Sequence, residues 1–205
     1  MRNDGILRIY TDGGCAGNQS SENLGGWGAI LEFAPAGAPG AAGSASLATK
    51  ELYGSEANTT NNRMEMTALL EAFRAIKKDG QRIQVFSDSS YLMDCFRKTW
   101  YVNWQANGWK NAQKKPVENQ DLWKELLPYL EQHEIEFYRV KGHVKLESAS
   151  EEDAAKARKE AELEQLYSKF RQWNGDAFTY DEFLYITEKN NRADALANQG
   201  IDELR

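Results

Sequence analysis

Short stretches in which apolar residues alternate with polar ones or run together predict five β-strands. The first, residues 7–11, ends in a glycine-rich turn that begins with Asp12. The other candidate strands are residues 26–33, 51–55, 83–87 and 135–140. The strand at 83–87 delivers Asp88 at its carboxyl end.

Apolar residues at helical spacing predict helices among these strands. The clearest helix follows several N-cap candidates at residues 59–62, and Gly80 marks its C-terminal end. Further helices are predicted after Asp88, from Asp121 onward and over residues 191–204. Strands that come first and then alternate with helices predict an α/β fold with a sheet of mixed strand direction.

A long charged segment, residues 146–189, lies between the last strand and the last helix. Residues 151–173 have a helical pattern with inward candidates such as Phe170, and Thr179 with Glu182 has the spacing of a capping box for a second, short helix. The segment contains 11 acidic and 6 basic residues, a net charge of −5. We therefore expect an acidic helical insertion within the domain.

The chain has 205 residues, of which 41% are hydrophobic, and this length and composition suit one sizeable core. We expect a single domain over residues 1–205, with a flexible hairpin loop at 35–50 that is rich in glycine and proline. The chain has no run of about 18 apolar residues and no apolar leader, which predicts a cytoplasmic protein without membrane contact. Its two cysteines, Cys15 and Cys95, are expected to be reduced thiols.

A net charge of −6 and a pI near 5.1 argue against nucleic-acid binding through a broadly basic surface. Residues 95–117 are a local exception, because they contain no acidic residue and interleave basic with aromatic side chains. The acidity is concentrated instead in residues 146–189.

Four carboxylates stand out by position: Asp12 at the end of the first strand, Glu65 in the first turns of the clearest helix, Asp88, and Asp194 near the start of the final helix. Each, taken singly, is also compatible with a helix-start or turn residue. If they converge, their mutual repulsion requires cations. An all-oxygen ligand set suits Mg²⁺ or Mn²⁺, and the chain offers only His133 and His143 as imidazoles.

Motifs in a fixed order connect the chain to a known family. They are Tyr10-Thr-Asp12-Gly-Gly, Gly26-Trp-Gly-Ala-Ile-Leu, Thr60-Asn-Asn-Arg-Met-Glu65, Ser87-Asp88-Ser, Gly108-Trp109-Lys110, Asp121-Leu-Trp, Val140-Lys-Gly-His143 and Arg192-Ala-Asp194-Ala-Leu-Ala. In this order they resemble the bacterial type I ribonuclease H family. The resemblance covers nearly the whole chain outside residues 35–50 and 146–189.

The resemblance implies a mixed five-stranded sheet flanked by helices, here with an extra helical insertion. It also implies a monomeric endonuclease that cuts the RNA strand of RNA/DNA hybrids with two Mg²⁺ ions, or Mn²⁺, and leaves 5′-phosphate and 3′-hydroxyl ends. Asp12, Glu65, Asp88 and Asp194 match the family's metal ligands. His143 matches a mobile histidine that assists proton transfer or product release, although a surface histidine in a turn is an alternative interpretation.

Recognition of RNA needs groups that contact a 2′-hydroxyl. Asn18, Asn61 and Asn62 have the right chemistry, and Thr60 matches a position that binds a DNA phosphate. In the family, a basic protrusion holds the DNA strand, and here it corresponds to residues 97–115, with Trp100, Trp104, Lys114 and Lys115 as candidate contacts. The alternative is a surface helix with core tryptophans. Ser90, where the family usually has glutamine, weakens one expected RNA contact.

Other functions remain open at this stage. Another metal-dependent nuclease of the same superfold and a catalytically weak hybrid-binding module are the main alternatives. The 146–189 segment either folds back on the main domain, away from the hybrid, or acts as a gate over the active site. The first of these predicts that replacing it with a short glycine-rich loop leaves cleavage within about tenfold.

Overall fold

A single five-stranded sheet, seen in a computed structural model that describes residues 5–16, 23–34, 48–148 and 152–205, forms the centre of the protein. Its strands are β1 (Ile6–Ala16), β2 (Leu24–Ala34), β3 (Ala48–Ala57), β4 (Arg82–Ser87) and β5 (Glu134–Arg139). Their order across the sheet is β3-β2-β1-β4-β5. The first three strands are antiparallel, whereas β4 and β5 run parallel to β1. The predicted mixed sheet is confirmed.

Within the described residues, six helices accompany this sheet. They are α1 (Asn61–Arg74), α2 (Ser90–Arg97), α3 (Trp100–Ala106), α4 (Gln120–Gln132), α5 (Asp153–Asn174) and α6 (Tyr180–Leu204). On one face, α1, α2 and α4 bury a core that includes Phe73, Val85 and Trp123. On the other, α5 and α6 bury a second core around Tyr10 and Phe86. Within the described residues, no helix is both long and apolar enough to cross a membrane.

The first strand is longer than predicted. Instead of turning at Asp12, β1 continues to Ala16 and pairs along its whole length with β2, with Asp12 opposite Gly28. The glycine after Asp12 has another purpose, because a side chain on Gly13 would collide with the backbone of Met64 and Glu65 in α1. The predicted turn was therefore wrong, and Gly13 marks a close contact between strand and helix.

The predicted hairpin loop at 35–50 is also too long at its C-terminal end, because residues 48–50 belong to β3, where Ala48 pairs with Phe33. Residues 35–47 of that prediction lie outside the described residues.

The end of the chain differs most from expectation. The predicted short helix after Thr179 and the predicted final helix at 191–204 are one 25-residue helix, α6. The capping box of Thr179 and Glu182 is present. Buried residues at helical spacing, among them Ile186 and Ala193, keep one face of α6 on the sheet across the predicted boundary. Asp194 therefore lies well inside this helix and not near its start.

Candidate active site

Three carboxylates meet where β1, α1 and β4 come together. Asp12 is in β1, Glu65 is in α1, and Asp88 directly follows β4, which pairs in parallel with β1. One carboxylate oxygen from each lies within 4.8 Å of the other two. Gly13 makes this possible, because its missing side chain allows the backbone of α1 at Glu65 to approach the strand.

Asp194 faces the same cleft from α6. This helix lies close against β2, since a side chain on Gly28 or Gly26 would collide with the carbonyl oxygen of Ala193 or Ala197. The resulting cleft has a volume of about 390 Å³. Asp12, Glu65, Asp88, Asp194, His143 and Asn61 are among its lining residues. The structure thus brings all four predicted carboxylates to one cleft.

Burial and repulsion between carboxylates raise the pKa values of Asp12, Glu65 and Asp88. Burial, followed by the negative charges of Asp88 and Asp194, raises the pKa of Asp12 to about 8. Burial and the charges of Asp12 and Asp88 raise the pKa of Glu65 well above its ordinary value. Burial also raises the pKa of Asp88, although His143 opposes this shift. Without added positive charge, the cluster favours protonated carboxyl groups.

Two oxygens of the cluster lack partners. Asp12 Oδ2 and Glu65 Oε2 are buried and have no hydrogen-bond partner among the described residues. Unpaired buried carboxylate oxygens are costly unless a cation neutralises them. Oxygen-only donors match the preference of Mg²⁺ and Mn²⁺. The residues present therefore fit a divalent metal site.

The two histidines have different surroundings. His143 Nδ1 lies 3.5 Å from Asp194 Oδ2, and the imidazole is 75% exposed at the edge of the cleft. His133 is buried and accepts a hydrogen bond on Nδ1 from the backbone N–H of Gln81, 3.3 Å away. Only His143 is placed to take part in chemistry at the carboxylates.

Two of the three predicted RNA-contacting residues, Asn61 and Asn62, lie at the N-terminus of α1. Asn61 lines the cleft, and Asn62 is exposed beside it. Thr60 caps α1 by accepting a hydrogen bond from the backbone N–H of Arg63. This capping role is compatible with a role in substrate binding. Asn18 lies outside the described residues.

The predicted protrusion residues are not brought to the carboxylate cleft. Trp100 and Trp104 pack edge to face, 6.5 Å between ring centres, and Lys98 lies over Trp100. Trp104 also packs on the core residue Trp123, whereas Trp100 is exposed. Lys114 and Lys115 are exposed. The segment therefore combines one tryptophan anchored on the core with an exposed basic and aromatic surface.

Sequence reasoning missed Gly142, whose role depends on a contact distant in the chain. A side chain at this position would overlap the Asp88 carboxylate. Its place in the Val140-Lys-Gly-His143 motif was the available signal. We expect Gly142→Ala to weaken Mg²⁺ binding at least about tenfold, because Asp88 must move away from the other ligands.

Isothermal titration with Mg²⁺ measures this effect, and circular dichroism checks the fold. Gly14→Ala is a matched control, since a side chain there meets no atom within 4 Å, and its affinity should equal that of the parent. Equal affinity in Gly142→Ala would show that Asp88 tolerates the displacement.

The family model and the similar sequences agree on one family. The family model for RNase H matches residues 4–162. Ribonuclease H of Syntrophomonas wolfei subsp. wolfei is 47% identical over 135 residues, which cover 66% of this chain and 82% of that relative. Ribonuclease H of Moorella thermoacetica is 45% identical over 137 residues, which cover 67% and 80%. The family match includes Asp12, Glu65, Asp88 and His143 but ends before Asp194.

Solved structures agree on the architecture. The crystal structure of LC9-RNase H1, a type 1 RNase H with the type 2 active-site motif, has a TM-score of 0.58 and 29% identity, and the match covers 91% of this chain and 85% of that one. The solution structure of the PFV RNase H domain has a TM-score of 0.56 and 18% identity, covering 98% and 95%, and shows similarity of fold alone.

Proposed function

The chain belongs to the ribonuclease H family, and from that premise we propose that it hydrolyses the RNA strand of RNA/DNA hybrids by two-metal-ion catalysis. The products would be 5′-phosphate and 3′-hydroxyl ends. The observation that carries this proposal is the cluster of Asp12, Glu65 and Asp88, in which Asp12 and Glu65 are buried and present unpaired oxygens.

Asp12, Glu65, Asp88 and Asp194 would hold two Mg²⁺ ions, or Mn²⁺, in this proposal. When bound, the ions supply Lewis-acid activation of water and neutralise charge on the leaving 3′ oxygen. The protein contributes the carboxylates of Asp12 and Glu65, whose pKa values are raised by burial and by the negative charge of neighbouring carboxylates. Binding of cations and ionisation of the carboxyl groups are therefore coupled.

His143 has a separate role in the proposal. It lies beside Asp194 and is largely exposed, so it can exchange protons with solvent and reach a phosphate at the mouth of the cleft. We assign it to proton transfer or product release. This role does not require it to bind a metal ion.

Substrate recognition is proposed at two surfaces. Asn61 and Asn62, together with Asn18, would read the 2′-hydroxyls of the RNA strand, and Thr60 would contact a DNA phosphate. The surface of Trp100, Trp104, Lys114 and Lys115 would hold the DNA strand. The cytoplasmic location and the monomeric state remain predictions from the sequence.

The decisive experiment offers the purified chain three labelled duplexes, an RNA/DNA hybrid, duplex RNA and duplex DNA, with Mg²⁺ or with a chelator. We expect cleavage of the RNA strand of the hybrid alone, dependent on Mg²⁺, with products that a 5′-phosphate-dependent exonuclease degrades. Cleavage of either other duplex would favour a different nuclease of this superfold. Binding of the hybrid without cleavage would favour a binding module.

A prediction concerns the basic surface. Replacing Lys114 and Lys115 together by alanine should raise KM several-fold with little change in kcat, because these exposed lysines would contact phosphates far from the reacting group. The dependence of binding on salt should become shallower by about one to two charges. Steady-state kinetics at several salt concentrations tests this. Lys156→Ala with Arg158→Ala, on exposed positions of α5, is the charge-matched control. A fall in kcat at unchanged KM would contradict the assignment.

A further inference from the structure

The loop that carries His143 has an unfavourable backbone conformation. His143 has a φ of 55°, in the left-handed region that residues other than glycine rarely adopt. Such a conformation persists only when the surrounding structure holds it. The contacts at the two ends of residues 140–144 show what holds it.

Asn174 binds the N-terminal side of this loop. It is the last residue of α5, and its side chain forms two hydrogen bonds with the backbone of Arg139, at the end of the edge strand β5. Arg139 N–H donates to Asn174 Oδ1 at 3.0 Å, and Asn174 Nδ2 donates to the Arg139 carbonyl at 2.8 Å. The asparagine thus takes the place that a neighbouring strand would occupy. Trp173 adds a contact, with the Arg139 guanidinium 4.5 Å from its ring centre.

Asn191 binds the C-terminal side of the loop. Its Nδ2 donates to the carbonyl of Val144 at 2.7 Å, one residue after His143. Asn191 is on α6, three residues before Asp194, so the bond ties the loop to the helix that carries this carboxylate. Between the two clamps, the Val140 N–H donates to Ser87, next to Asp88. The loop is therefore fixed to both sides of the carboxylate cleft.

We propose that Asn174 and Asn191 are positioning residues that hold the 140–144 loop so that His143 stays beside Asp194. This inference deepens the proposed function and rests on it for the role of His143. It also gives the 146–189 segment a purpose, because α5 ends in one of the two clamps. The segment would act on the reaction through the order of this loop and not as a gate.

The test uses Asn174→Ala, Asn191→Ala and the conservative Asn191→Gln, each in the full chain. Deuterium uptake of a peptide spanning residues 140–147, measured without metal, reports loop order independently of catalysis. Cleavage of an RNA/DNA hybrid at saturating Mg²⁺ gives kcat and KM. Gln199→Ala is the matched control, because it removes an exposed side-chain amide of α6 that bonds Glu203, away from the loop.

We expect faster uptake in both alanine variants and a fall of about tenfold in kcat, with KM within about twofold, because His143 acts on the reacting group and not on ground-state binding. Asn191→Gln should partly restore both the slow uptake and kcat, since the longer glutamine side chain can still donate a hydrogen bond to the Val144 carbonyl. Gln199→Ala should match the parent. Partial recovery by glutamine separates positioning from a general loss of stability.

Unchanged uptake in both alanine variants would overturn the clamp, and increased uptake with unchanged kcat would overturn its link to catalysis. If the parent protein fails to cleave the hybrid, the proposed function fails, while the uptake measurements still decide whether the two asparagines hold the loop.

Discussion

The Asp12→Asn variant is expected to lose hybrid cleavage by at least about a thousandfold while it stays folded. Asp12 is 6% exposed and shares its site with Glu65 and Asp88. Asparagine preserves the shape of the side chain but supplies no negative charge to hold cations. Single-turnover cleavage at saturating Mg²⁺ measures the loss, and cleavage within tenfold of the parent would refute the metal-site assignment.

The same variant should be more stable than the parent when metal is removed with a chelator. The pKa of Asp12 is about 8 in the folded protein, above its ordinary value of 3.8, so the folded state binds a proton that the unfolded state releases between these values. The stability of the parent therefore falls as pH rises from about 4 to about 8. The Asp12→Asn variant lacks the part of this fall that Asp12 causes, because asparagine does not titrate.

Urea unfolding at pH 5, 7 and 9 in the presence of chelator shows whether the variant is more or less stable than the parent. The difference in unfolding free energy between variant and parent should grow with pH and level off near pH 9. Asp202→Asn, at an exposed position near the end of α6, is the control and should show no such trend. At saturating Mg²⁺ the parent should be the more stable of the two, because only the parent is stabilised by binding the metal. A variant less stable than the parent in chelator at pH 9 would mean that the cluster is not electrostatically strained.

Local patterns predicted the parts of the site that depend on neighbours in sequence. The apolar run before Asp88 correctly defined β4 and placed this carboxylate after its last residue. Capping and periodicity correctly defined the start of α1 and placed Glu65 within its first turns. The predicted C-terminal end at Gly80 was wrong, because α1 ends at Arg74. Family resemblance, and not periodicity, then grouped these acids with Asp12 and Asp194.

Features that depend on distant contacts were not predictable. Glycine at position 13 favours a turn on local grounds, but the approach of α1 makes it part of a long strand. Gly142 lies in a family motif, but its neighbours in sequence do not indicate its contact with Asp88. The Thr179 capping box was predicted correctly, yet no local pattern extended that helix through residue 191, because its continuity depends on the sheet face that α6 covers.

That residues 146–189 are an insertion relative to the family remains a prediction. The contacts of these residues nevertheless change the expected effect of deleting them on folding. Phe170, Phe178 and Phe183 are each less than 5% exposed, and Ile186 is fully buried. They form the second core with Tyr10 and Phe86 of the sheet, where Phe178 lies 5.5 Å from Phe86 and Phe170 lies 5.4 Å from Phe183. The described part of this segment therefore supplies several buried side chains to the second core and is not a surface appendage.

Replacing residues 146–189 with a short glycine-rich loop is accordingly expected to prevent folding, which reverses the sequence-based expectation of near-normal cleavage. Truncating one buried phenylalanine costs about 3–5 kcal/mol, so losing three costs about 9–15 kcal/mol. This is comparable with the whole unfolding free energy of a domain, about 5–15 kcal/mol. Phe183→Ala alone should lower the unfolding free energy by about 3–5 kcal/mol in urea. Leu204→Ala, at an exposed position of α6, should change it by less than about 0.5 kcal/mol. A folded, active deletion variant would show that the sheet face can be covered without these side chains, and the second core would then be dispensable.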